Sequence, residues 1–371
     1  MAVSAKENRN TRLDLVRTLA IIAVVWIHCQ ENGNFSLSIG PVPVDALTYL
    51  FGRMGVPLFL MLTGALLIPR EIRPLRFHLT RLLPLYLVSA LWIFLYSLPG
   101  LVRGAAGLTA GAVLPAAGAA LVRALCMTPS EKHLWYLGVI FAVYLLMPLL
   151  AQLKRCRTAP LAGIVLGLLA FTGLRLAAGV SHIAADIVLY IAYVLAGYLL
   201  TDRLAGRPAA ERKPDGYAGA AAARPRPART AALWILTAFS AALFVFTYVH
   251  DRFRNAFAVR GLDVWWYYSP FIILTAVLLF AALYAGPAPS GRAAGVLRFL
   301  SENSFGVYLV HLFVIRGIFR GAFFTDTART SAGTAALAAL GTLAISYAIS
   351  AVCGKIPGLR RLFLKKSLQK S

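Results

Sequence analysis

Apolar residues run in ten long stretches along this chain, at about 13–30, 46–68, 79–98, 134–151, 160–178, 184–201, 230–249, 267–285, 301–319 and 332–353, with polar segments between them. Each is close to the roughly 20 residues a helix needs to cross a bilayer's hydrocarbon core. The pattern predicts an all-α polytopic membrane protein with about ten transmembrane helices. The first stretch reads as a retained span, because it contains Asp14 and Arg17, ends in His28-Cys29-Gln30 and has no small-residue cleavage pattern. Residues 101–127, rich in Ala and Gly and broken by Pro115 and Arg123, read as an external loop with a short surface helix.

Composition agrees with that picture. The chain is 59% apolar and 14% charged with a mean hydropathy of +0.73, against about 45–50% and 25% in soluble domains. Disorder, coiled coil, collagen and a small disulfide scaffold are thereby excluded. A net charge of +23 could point to nucleic acid. Its placement argues otherwise: with ten spans, 26 of the 37 Lys and Arg residues fall on one side. That side holds the N-terminal tail, the 70–81 and 154–157 turns, the 203–229 loop, Arg292, Arg298 and the basic tail 354–371. By the positive-inside rule it is cytoplasmic, as are both termini. The charge then serves topology and contact with anionic membrane lipids, and nucleic acid is not an expected partner.

The segment 204–229, rich in Ala, Arg, Pro and Gly, reads as a flexible cytoplasmic linker inside a single membrane domain spanning 1–353. No internal repeat is visible, which counts against the common transporter folds. No phosphate-binding G-x-x-x-x-G-K-[ST] loop occurs. Cys29, Cys126, Cys156 and Cys353 have neither CxxC nor metal-type spacing, so no metal is expected.

Ionisable groups within spans are costly and each one is a functional hypothesis. Asp14 and Arg17 stand three apart, within ion-pair reach. Arg17 and His28 stand eleven apart, so Asp14, Arg17, Ile21 and His28 share a stripe with His28 about 16 Å beyond Arg17. The alternative is that all three polar groups merely sit at the two headgroup regions. The segment Gly55 to Gly64, with Pro57, reads foremost as a kinked, closely packed helix. His78 and Arg81 open the third span, as an inner-leaflet anchor or a phosphate grip. His133-Leu-Trp135-Tyr136 opens the fourth, as an interfacial belt or a site. Arg260, Asp263 and Trp266 belong to an aromatic cluster ahead of the eighth span, a composition suited to a carbohydrate-like ligand. His311 lies about 10 Å beyond Ser304, near mid-bilayer.

Together these residues resemble the acyltransferase 3 family of membrane-bound bacterial O-acyltransferases, from about Arg12 to about residue 352. The resemblance is carried by Asp14 with Arg17-x10-His28, by Gly55-Val-Pro-Leu-Phe-Leu-Met-Leu-Thr-Gly64 and by His133-Leu-Trp135-Tyr136-Leu with Tyr144 and Pro148. Ser304-Phe-Gly-Val-Tyr308-Leu-Val-His311 completes it, and Arg260-Gly-Leu-Asp263 is similar to the branch containing the enterobacterial common antigen O-acetyltransferase. The resemblance implies a multi-pass protein of the bacterial plasma (inner) membrane. It also implies acetyl-CoA as acyl donor from the cytoplasm and a hydroxyl of a surface or lipid-linked glycan as acceptor. By the same resemblance His28 is catalytic, assisted by Asp14 and Arg17. Arg81, His78 and His311 then face the donor, and His133, Trp135, Arg260, Asp263 and Trp266 the acceptor. The chain departs from the family's Arg-x-x-Arg pair at the third helix, where His78 and Arg81 stand.

The chemistry fits those residue types. A hydroxyl attacking a thioester must lose its proton, and a neutral imidazole is suited to take it. A basic cytoplasmic mouth would attract the donor's phosphates. The competing readings are a transporter of a small solute such as an amino acid, and a sensory or scaffolding membrane protein.

Overall fold

The computed structural model describes residues 9–33, 37–39, 42–105, 110–129, 131–179, 186–204, 226–250, 265–318 and 332–363. They are helical apart from turns and one two-residue antiparallel pairing, Ser38–Ile39 with Val42–Pro43, in register Ser38 to Pro43 and Ile39 to Val42. Among the described residues, the α-helices of nine or more residues are α1 (Thr11–Gly33), α2 (Asp45–Arg53), α3 (Gly55–Leu67), α4 (Leu83–Ala105), α5 (Ala110–Leu125) and α6 (Trp135–Leu150). There follow α7 (Thr158–Ala177), α8 (Ile187–Leu204), α9 (Pro227–Val249), α10 (Pro270–Ala285), α11 (Gly291–Ile318) and α12 (Ala332–Cys353).

Among the described residues, seven helical stretches are long and apolar enough to cross a membrane: Thr11–Gly33, Asp45–Leu67, Pro74–Arg103, Lys132–Arg155, Thr158–Ala177, Pro227–Val249 and Ala332–Cys353. Ile187–Asp202 and Pro270–Ala285 are apolar but shorter. The 301–319 stretch lies within α11, a 28-residue helix that also carries Arg292, Arg298, Glu302 and Arg316. The 101–127 region is more helical than the sequence pattern suggests. α4 runs on to Ala105, and α5 then forms 16 residues, about 24 Å of helix and short of the roughly 30 Å core. Most of the 204–229 linker lies outside the described residues.

The described residues divide into two compact units, each discontinuous in sequence. One comprises residues 1–71 and 150–352, the other 72–149 and 353–371. In the first unit α1 is the central helix, packed against α2, α3, α10 and α11. Val16, Ala20, Ile21, Ala23 and Val25 are completely buried along it. Burial on all sides explains why the helix shows no polar face.

The expected kink in the second stretch is a break at Met54, where α2 ends and α3 begins. Pro57 falls in the first turn of α3, where its missing N–H costs no helical hydrogen bond. Further along, α3 crosses α8 at two glycines. A Cβ on Gly64 would lie 1.7 Å from the Val194 carbonyl oxygen, and one on Gly197 would lie 2.0 Å from that of Met61. Backbone meets backbone at both points, so no side chain can rotate out of the way. Gly64→Ala is expected to cost at least the roughly 1–3 kcal/mol of ordinary overpacking. Thermal melting of detergent-solubilised protein should show a clearly lowered midpoint; an unchanged midpoint would disprove this crossing.

The second unit contains α4, α5 and α6. Its entrance is a π-helical turn, His78–Leu82, just before Pro84. Pro84 cannot donate to a preceding carbonyl, which favours a widened turn here.

Candidate functional site

In the first unit, the last two turns of α1 bring His28 beside His311 of α11, with ring centroids 5.2 Å apart and planes tilted by 33°. His311 is fully buried. Its Nδ1 lies 2.7 Å from the Tyr308 carbonyl oxygen. A carbonyl can only accept, so Nδ1 carries the proton and Nε2 of the neutral ring has the lone pair. His28 is partly accessible, its side chain 19% exposed.

His28 Nδ1 is 3.5 Å from Glu31 Oε2, one turn further along α1. The other Glu31 oxygen lies 3.2 Å from Arg53 Nη2, at the end of α2. Arg53 in turn is held by rings: its guanidinium carbon sits 4.7 Å from the Tyr49 centroid, 5.3 Å from Trp266 and 5.6 Å from Tyr267. Arg53 also donates to the Tyr49 hydroxyl. The rings are fixed as well, since Trp265 packs against Tyr49, Phe244 and Tyr248, and the Tyr193 hydroxyl donates to the Tyr267 carbonyl at 2.8 Å.

This chain of contacts gives His28 a defined chemistry. A carboxylate facing Nδ1 favours the tautomer with its proton there, leaving Nε2 as the basic nitrogen. When Nε2 takes a proton, Glu31 faces the resulting imidazolium. Arg53 holds the other Glu31 oxygen and so directs the carboxylate. Hydrogen bonds of this kind are often long without substrate and tighten when it binds.

Neither Glu31 nor Arg53 was singled out from sequence. The signals were there: a carboxylate three residues beyond His28, and an arginine two residues before Gly55 inside an apolar stretch.

Asp14 and Arg17 lie elsewhere. On one continuous helix, fourteen residues put Asp14 about 21 Å from His28, and eleven put Arg17 about 16 Å away. The expected pairing of Asp14 with Arg17 gives place to a clamp by Arg9. Its Nε and Nη2 donate to the two Asp14 oxygens at 2.6 and 2.7 Å, while Nη1 donates to Glu302 of α11 at 2.6 Å. Half-burial works against the Arg9 charge, but the two carboxylates outweigh it and raise the guanidinium's pKa above its ordinary value. Arg298 donates to the same Glu302 oxygen at 2.9 Å, and Arg12 donates to the Gly286 carbonyl at 2.7 Å. Asp14 therefore helps fix the start of α1 to α11 and cannot touch a group reacting at His28.

Trp266 joins the His28 side through Arg53. Arg260 and Asp263 lie outside the described residues. His78, Arg81, His133 and Trp135 belong to the second unit. There Arg81 is buried in the π-helical turn and His78 Nε2 lies 3.2 Å from the Leu145 carbonyl oxygen. His133 is only 2% exposed and meets the Tyr96 ring edge-on at 4.7 Å. That is a packed side chain, unlike one in an open interfacial belt. Trp135 makes an edge contact with Tyr136 at 6.2 Å.

No curated protein and no solved structure matches the chain. The family model for an acyltransferase domain, acyltransferase 3, matches residues 10–351 and thus covers both histidines, Glu31 and Arg53. A membrane helix protein with a carboxylate-backed imidazole across nearly the full length of that match belongs to the acyltransferase 3 family, and is a membrane acyltransferase.

Proposed function

We propose that this acyltransferase moves an acetyl or similar short acyl group from cytoplasmic acyl-CoA to a hydroxyl of an extracytoplasmic or lipid-linked glycan. The observation that carries the reading is the His28–Glu31–Arg53 chain beside His311. Nε2 of His28 removes the proton from the acceptor hydroxyl as its oxygen attacks the thioester carbonyl. The C–S bond then breaks, and the imidazolium returns the proton to the departing thiolate. An ester and free CoA thiol result, and His28 is regenerated.

In this reading His311 lies where the thioester meets the acceptor, and Trp266 lies on the acceptor's side. Arg81 and His78 are the proposed contacts of the donor phosphates, and His133, Trp135, Arg260 and Asp263 those of the glycan. The resemblance to the enterobacterial common antigen branch supports a glycan acceptor and a bacterial inner-membrane setting. Transfer of label from acetyl-CoA in proteoliposomes, with mass spectrometry of glycans from a deletion strain and its parent, tests the reading. Label should appear in a glycan that loses acetyl groups in the deletion strain. Counterflow of a labelled amino acid without any acetyl transfer would establish the transporter alternative.

Ten spans with both ends cytoplasmic complete the proposal, supported by the 26 of 37 basic residues on one side. Reporter fusions after residue 115 should read extracytoplasmic and those after residue 215 cytoplasmic. Reversed signals would overturn the map.

A further inference from the structure

The chain after α12 packs within the second unit. Gly354, Pro357 and Gly358 interrupt any continuous helix, and a single helical turn forms at Leu359–Leu362. Just past that turn Phe363 is buried edge-on against Trp92 of α4, with ring centroids 5.8 Å apart. The Trp92 indole donates to the Leu362 carbonyl at 3.3 Å. Trp92 also meets Tyr96 at 6.3 Å, and Tyr96 meets His133 at 4.7 Å. A row of rings thus runs from the tail to His133.

Trp92 stands eleven residues beyond Arg81, about 16 Å of helix. Along α4, Phe363 is therefore seated between the level of Arg81 and that of His133, well past the π-helical entrance. His133 is 2% exposed, so a ligand touches it only after a neighbour moves. Trp92 and Tyr96 belong to a 23-residue helix, whereas Phe363 follows a helix of four residues. Of the rings in the row, Phe363 has the weakest backbone support and is the one that can leave.

The tail also carries charge that the fold does not match. Lys355 and Arg361 are exposed and Arg360 is half-buried. Among the described residues, no carboxylate lies within ion-pair distance of these three. Residues 354–371 contain six Lys and Arg and no Asp or Glu. Ile356 and Leu359, set among these cations, are exposed as well. Basic residues interleaved with apolar ones suit the surface of an anionic bilayer. Burial of Phe363 holds the segment in the unit, and attraction to such a surface opposes it.

We propose that the C-terminal segment is an autoinhibitory plug, with Phe363 closing the second unit at Trp92, and that an anionic lipid surface is the partner that withdraws it. This rests on the reading above that the second unit contacts donor and acceptor. Withdrawal frees the side of Trp92 that Phe363 occupies and leaves α4 and α6 in place.

The test compares acetyl transfer by the purified full chain in vesicles of phosphatidylcholine alone and of phosphatidylcholine with phosphatidylglycerol. If about nine-tenths of the protein is plugged without anionic lipid, phosphatidylglycerol should raise transfer about tenfold. High salt should cancel the rise. Phe363→Ala should already be fast in phosphatidylcholine and respond little to phosphatidylglycerol. Arg360→Gln with Arg361→Gln, which leaves Phe363 in place, should stay slow and respond less than wild type. Phe363→Ala that is slower than wild type in both vesicles would make the segment a structural brace and overturn the plug. Should Phe363→Ala fail to fold, the double variant decides, and a full response to phosphatidylglycerol in it overturns the proposal. Photo-crosslinking from Phe363→benzoylphenylalanine reads the plug without any assay of transfer. It should label α4 in phosphatidylcholine and lipid in phosphatidylglycerol; labelling of α4 in both overturns the plug. Absence of acetyl transfer by every form overturns the acyl-CoA reading instead, and the crosslink then decides the plug.

Discussion

His28→Gln is expected to lower acyl transfer by roughly 10²–10⁴-fold, the usual cost of losing an acid–base group, while the protein remains inserted and folded. Glutamine preserves a donor and an acceptor near Glu31 but cannot take up a proton at the position of Nε2. The side chain is partly accessible near the end of α1, so the change opens little cavity. The assay is transfer from labelled acetyl-CoA in membranes, with variant amounts matched by immunoblot. Near-normal turnover would remove His28 as the base and leave the paired imidazoles as mere hydrogen-bonding groups.

The second large effect belongs to Glu31. Glu31→Gln should reduce transfer about ten- to a hundredfold, because a charge-assisted contact to the imidazolium is worth about 1.5–3 kcal/mol. The carboxylate is 40% exposed, and water screening places the effect toward the lower end of that range. If Glu31 acts through His28, the two losses will not add. Glu31→Gln in the His28→Gln background should then cost nothing further. An equal loss in both backgrounds would show that Glu31 supports the local structure independently of the imidazole. The same cycle applied to Arg53 separates its hold on Glu31 from its packing among Tyr49, Trp266 and Tyr267.

The membrane class, the apolar helices and the family were legible along the chain because the bilayer imposes local rules. A span must be long and apolar wherever it falls, so it shows within a single stretch of residues. The individual candidates fared according to how far their roles depended on distant residues. His28 and His311 each stood out as a costly imidazole in an apolar run, 283 positions apart in sequence. That they share one site follows only from the packing of α1 on α11. Asp14 was read with Arg17 because i,i+3 spacing was the only partner information available. Arg9 takes Asp14 instead and bridges it to Glu302, 288 positions further along the chain.

The sequence by itself determined that this chain fills a bilayer with helices, and which ionisable groups must find partners there, since both follow from the cost of placing polar groups in hydrocarbon. The close crossing of α3 and α8 was half visible as glycines, but that each glycine meets a carbonyl oxygen was not. Only the tertiary structure decided that His28 and His311 share a site, which arginine holds Glu31, and that Arg9 ties Asp14 to Glu302. Those are choices among side chains brought within a few ångströms by helix packing, and no spacing along the chain encodes them.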